Sequence, residues 1–166
     1  MRTTWIAALG TVASLAYGGF IVWVYATQPR TLAEVRTGAQ VAAGVYRVDE
    51  AHFDAGLDLF RREQHAAARD EWSRADPARR DARTQFYVAY SCYRQGWGRL
   101  HHDDTLYQQG LQAVDLALSL TPDGTLRVDD PGLGIKTAAE LRVELQKGLT
   151  RSWEDFNPLK VLEPRR

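Results

Sequence analysis

The run His101-His102-Asp103-Asp104 gathers more metal-ligating side chains than any other stretch of this 166-residue chain. Neighbouring positions seldom converge on one ion, and no histidine pair at i,i+4 or distant cysteine set completes a site around them. The run therefore reads as a polar loop with an aspartate helix cap, and metal binding by residues 101–104 stands as an alternative. Cys92 is the single cysteine, which excludes an internal disulfide and any multi-cysteine zinc or iron–sulfur centre within the chain. It lies between Tyr90 and Tyr93 in a helical pattern, the setting of a small buried hydrophobe rather than of a nucleophile. The stretch PGLGIKT at 131–137 lacks the Gly-Lys-Thr ending of a phosphate loop and follows no strand. His52 and His65 sit near helix starts with no acid–base partner at a recognisable spacing, and Asp129-Asp130 reads as a solvated turn. No catalytic residue, cofactor-binding residue or metal ligand is assigned, and the expectation is a protein that is not an enzyme and carries no cofactor.

Composition narrows the classes further. Twenty-one basic residues balance 21 acidic ones at a pI near 6.9, which argues against a nucleic-acid binder with its basic excess. Hydrophobic residues at 45% and charged residues at 25% are enough for an ordinary packed core.

The elements that would position any functional group begin with residues 5–26, WIAALGTVASLAYGGFIVWVYA, 22 residues without a charge. As a helix this run is about 33 Å long and can cross a bilayer. Trp5 marks one end and Trp23 with Tyr25 the other, where aromatic rings favour the two interfaces. Gly10, Ser14 and Gly18, joined by Gly19, recur at spacings close to four and leave one side small enough for another helix to approach. Val24-Tyr25-Ala26 before Thr27 would also suit signal-peptide cleavage, but the run exceeds a usual apolar region of ~7–15 residues, so an anchor is expected. Its orientation is undecided, with Arg2 on one side and Arg30 and Arg36 on the other.

Gln28-Pro29 ends the first helix. Residues 31–43 read as a weakly amphipathic juxtamembrane helix through Leu32, Val35 and Val41. Asp49 can cap a helix carrying Phe53, Leu57 and Phe60 on one face. A second runs from about His65 with Ala68, Trp72 and Ala75, stopping at Asp76-Pro77. Asp81 opens a third with Phe86, Ala89, Tyr90 and Tyr93. Asp103 or Asp104 opens a fourth with Leu106, Gly110, Leu111, Val114, Ala117 and Leu118, closed by the turn at 121–124. Thr137 and Glu140 form a capping box before Leu141, Leu145 and Leu149. With no convincing alternating strand, the chain reads as all-α: a transmembrane anchor at 1–28, a juxtamembrane linker or helix at 29–48, a helical domain at 49–149 and an extended tail at 150–166.

The central helices fall into two similar pairs. Gly56, a polar turn, then Ala68, Trp72, Ala75 and Pro77 are followed by Ala89, the stretch YRQG at 93–96, then Gly110, Val114 and ALSLTP at 117–122. This pattern resembles the tetratricopeptide repeat family over about residues 49–122, with Trp72 in the core position of a bulky residue. The resemblance implies protein binding through helical surfaces and no catalysis. Two departures stand out: an insertion of about nine residues at 97–105, and two repeats where such stacks generally need ~3. The helix at 137–149 would then serve as a cap.

Trp97, flanked by glycines in the insertion, is either a plug over the repeat's end or an anchor for a partner. The tail carries Trp153 and Phe156 among charges and prolines, suited to lying along its own domain or a neighbouring subunit. Gly10, Ser14, Gly18, Trp97, Trp153 and Phe156 are thus the candidate partner-binding residues. The expected function is a single-pass membrane accessory or stabilising subunit whose partners are other membrane-protein subunits and the lipid bilayer, with no nucleic acid and no identified small-molecule substrate. Bacterial inner-membrane complexes of photosynthesis or respiration lead on general expectation alone, since no residue of this chain points to them. The alternative of the same class is a membrane-tethered chaperone or assembly factor taking clients on the concave face of its repeats.

Overall fold

The structure, a computed structural model, describes residues 2–27, 31–42, 44–96 and 104–150. These form seven helices and no strand, and the chain divides into two compact units, Met1–Tyr46 and Arg47–Arg166.

The first unit holds α1 (Arg2–Thr27) and α2 (Leu32–Ala42). The side chains described in α1 are those of residues 10–23, 25 and 26. Among the described residues no helix is long and apolar enough to cross a membrane. Residues 5–26 are helical as read, whereas their expected passage through a bilayer is not carried by the fold.

The second unit holds α3 (Glu50–Arg61), α4 (His65–Ala75), α5 (Ala82–Gly96), α6 (Asp104–Ser119) and α7 (Ala138–Leu149). Their starts follow from local capping chemistry. The Asp49 carboxylate accepts the backbone N–H groups of Ala51 and His52, Asp81 accepts that of Thr84 at 2.8 Å, and the Thr137 hydroxyl accepts that of Glu140 at 3.2 Å. Between α4 and α5 the buried Asp76 receives the N–H groups of Arg80 and Asp81 and the Gln85 amide, which binds this turn to α5.

Consecutive helices pack as antiparallel neighbours, α3 on α4, α4 on α5, α5 on α6 and α6 on α7, with α7 returning to α5. Close approach rests on glycines. A Cβ on Gly56 would run into the Trp72 indole, and one on Gly110 would lie 2.7 Å from Leu145 Cδ2 and 3.2 Å from Cys92 Cβ. Trp72, fully buried, is packed with Phe53, Phe60 and Tyr87, and its indole N–H donates to the Phe53 carbonyl at 3.2 Å.

The turn read at 121–124 is present, with the Gly124 N–H donating to the Thr121 carbonyl at 3.1 Å, but residues 125–137 are more than a solvated turn at Asp129-Asp130. Leu133 and Ile135 are buried, the Val128 N–H donates to Lys136 O at 2.8 Å, the Ala138 N–H donates to Leu126 O at 2.9 Å, and Arg127 and Thr137 form an isolated antiparallel bridge. The segment is a short hairpin-like strap packed into the core.

Candidate interaction surface

A binding surface must be uncovered by the chain's own residues, so the covered surfaces are the first observation. Ten of the fifteen residues of α5 are buried, and at ~100° per residue they fall on every side of its axis. From α3, the rings of Phe53 and Phe60 meet Tyr87 edge-on, and Phe60 also meets Tyr90. From α4, the Arg69 guanidinium donates to Ser91 Oγ at 3.3 Å and Gln95 Oε1 at 2.7 Å. From α6, Gly110 approaches Cys92. The strap closes the remaining side, where the Tyr87 hydroxyl donates to Asp130 at 2.8 Å and the Gly134 N–H donates to the Tyr90 hydroxyl at 3.0 Å. Asp130, read as part of a solvated turn, is instead the acceptor that ties the strap to α5; Asp129 beside it is exposed and pairs with Arg127.

Between α3, α5 and the strap lies an open cleft of ≈ 490 Å³ lined by Arg61, Arg83, Tyr87, Arg127 and Asp130 among others. Its arginines have carboxylate partners, Asp58 for Arg61 at 3.4 Å, Glu50 for Arg83 at 2.7 Å and Asp129 for Arg127 at 2.9 Å. Arg83 also lies 3.9 Å above the Phe53 ring. Burial, then the hydrogen bond to Asp130, hold the Tyr87 phenol protonated far above the ordinary phenol range, so it acts as a hydrogen-bond donor and not as a base. Burial likewise pushes the Cys92 thiol up, away from the thiolate that nucleophilic chemistry requires. His52 Nδ1 lies 2.7 Å from Glu71 Oε2, a pairing that sequence spacing did not suggest, and Glu71 also pairs with Arg74. His65 is buried against the Phe60 ring at the start of α4.

The described part of α1 is the reverse of α5. Val12 (65% exposed), Leu15 (71%), Val22 (69%) and Tyr25 (78%), with Tyr17, Phe20 and Ile21, leave apolar side chains uncovered on every side of the helix. Gly10 and Gly18 have no described atom within 4 Å of a built Cβ, so among the described residues nothing packs on the small-residue stripe. The Ser14 hydroxyl donates to the Gly10 carbonyl at 2.9 Å, which lets this polar group lie in an apolar setting.

Compared with protein-family models, curated proteins and solved structures, the chain finds no counterpart.

Of the six candidate partner-binding residues, the structure places Gly10, Ser14 and Gly18 together along exposed α1. Trp97, Trp153 and Phe156 lie outside the described residues, as do His101, His102 and Asp103; Asp104 opens α6. Among the described residues no three His, Cys, Asp or Glu side chains come together to hold a metal ion. Sequence reasoning missed the strap, whose signal was available in the alternation Leu126-x-Val128 and Leu133-x-Ile135 on either side of Asp-Asp-Pro-Gly.

Proposed function

We propose that this chain is a non-catalytic, membrane-anchored interaction protein, an accessory or stabilising subunit of a larger membrane complex. One observation carries the reading: the apolar surface of α1 is exposed on all described sides, while the helical unit buries ten of the fifteen residues of its own aromatic helix α5. An isolated helix that is apolar all round needs a bilayer or neighbouring helices to bury it. Counted on the full sequence, including positions 5–9 and 24 whose side chains lie outside the described ones, the charge-free run of residues 5–26 has the length for a span, and Gly10, Ser14 and Gly18 would supply the close-approach side for another membrane helix.

The tetratricopeptide-like reading of the second unit is supported by its helix order and by the close approach of Gly56 to Trp72 within the first helix pair. In this reading the strap occupies the α5 face on which a transient factor would take clients, which favours a resident subunit over a chaperone. Photosynthetic and respiratory complexes of bacterial membranes are the classes to examine first.

Gentle detergent extraction of the native membrane, with the protein tagged at the exposed turn around Asp123 and its companions identified by mass, tests the proposal. Stoichiometric recovery with one large complex is the expected result. Recovery alone or with many sub-stoichiometric clients would replace it with the assembly-factor reading.

A further inference from the structure

The short helix α2 is built as a separate, punctuated element. The Thr31 hydroxyl accepts the Glu34 N–H at 3.2 Å, capping its first turn. At the other end the Gly44 N–H donates to the Val41 carbonyl at 3.1 Å and the Val45 N–H donates to the Gln40 carbonyl at 3.0 Å, with Gly44 at φ +68°. These two bonds form a Schellman stop, which needs a residue that tolerates the left-handed conformation. Eleven residues capped at both ends therefore hold a helix directly after α1.

In the middle of that helix stands Gly38, where alanine would favour the helix more. Its reason is packing: the indole of Trp23, from α1, lies over it so closely that a Cβ would come within 2.5 Å of Trp23 Cζ2. Val35, Gly38 and Val41 are half-buried, while Glu34, Arg36 and Ala39 are exposed. A tryptophan near the end of an apolar helix belongs at the level of lipid headgroups. Whatever lies against Trp23 is held at that level too.

We propose that α2 is an interfacial helix, lying in the headgroup layer of the bilayer that α1 crosses and held there by the Trp23 indole seated on Gly38. The partner of this surface is the lipid surface itself, reached by continuity with the uncovered apolar face of α1, with Arg36 free to extend toward phosphate groups. The inference rests on the anchor reading of α1 and adds to it a second contact with the same membrane, so that the chain leaves the bilayer through an elbow.

The test uses the full chain with Cys92→Ala, reconstituted in vesicles of phosphatidylcholine and phosphatidylglycerol, with a nitroxide on a cysteine placed at position 15, 39 or 108. Collision with oxygen and with a water-soluble nickel chelate reports the depth of each label. The expected order is nickel exclusion at 15, intermediate access at 39 and full access at 108, with access at 39 rising severalfold when Gly38→Leu displaces the indole. A label at 39 as accessible as the one at 108, with 15 still excluded, would overturn the interfacial helix and leave the anchor standing. Full access at 15 would overturn both. A label at 39 that is intermediate but unmoved by Gly38→Leu would contradict the Trp23 seat.

Discussion

Helices α1 and α5 pose the same physical problem and solve it differently. Each carries large apolar or aromatic side chains all the way round its axis, a pattern that water does not tolerate on an isolated helix. For α5 the chain supplies the solution, with α3, α4, α6, α7 and the strap each covering part of the surface. Three of its polar members have partners on neighbouring segments, Ser91 on Arg69, Gln85 on Asp76 and Tyr87 on Asp130. In the described part of α1 the Trp23 indole packs against Gly38, while Val12, Leu15, Tyr17, Val22 and Tyr25 stay exposed. Burial by the chain itself is a matter of folding, whereas burial by lipid or by another protein is a matter of function, and this difference is the ground on which the working surface is proposed to lie on α1.

Substitutions that strike one helix and spare the other test that division. Trp72→Ala removes the largest fully buried side chain beside α5 and should cost the helical unit about 3–5 kcal/mol, read as a fall in its thermal midpoint. Phe20→Ala on α1 should leave that midpoint in place, and a matching fall would break the comparison. Leu15→Arg should impose about 2.5–3.5 kcal/mol against membrane insertion. Fractionation should then show the protein leaving the membrane pellet while the unfolding transition of the helical unit is unchanged.

Tyr87→Phe leaves Asp130 without its phenol donor and should cost about 1–2 kcal/mol in chemical denaturation at neutral pH. Because burial and Asp130 raise the Tyr87 pKa, the folded state keeps a proton that the unfolded chain releases above about pH 10. The phenol's contribution is therefore fully present below that pH and lost as pH rises past it. The native protein should lose stability through this range, and the phenylalanine variant should lose less. The smallest effect concerns Arg79, a non-glycine residue at φ +54° in the α4–α5 turn. Replacing it by glycine relieves the left-handed strain at some entropic cost and should raise stability by about 0.5 kcal/mol in the same denaturation assay.

The sequence made the helices legible because their signals are local. Asp49, Asp81 and Thr137 act where their types predicted, Asp76-Pro77 closes α4, and the aromatic stripe of α5 lies inside the core. Trp72 and Cys92 are buried as their helical settings implied. The strap carried only a short alternating signal, Leu126-x-Val128 and Leu133-x-Ile135, masked by a segment rich in glycine, proline and aspartate, and its docking depends on Tyr87 and Tyr90 more than forty residues away along the chain. The same distance hid the role of Asp130. The candidate surface divides in the same way: Gly10, Ser14 and Gly18 follow from spacing on one helix, but the seat of Trp23 on Gly38 depends on how the chain turns between α1 and α2.

The most direct test of the contrast is amide hydrogen exchange, read by mass spectrometry on the full chain in lipid vesicles. If α1 is buried by the membrane as α5 is buried by its own chain, peptides covering residues 10–26 and 82–96 should both resist exchange over hours. Rapid exchange across residues 10–26 beside slow exchange at 82–96 would show that lipid does not cover α1, and would contradict the anchor.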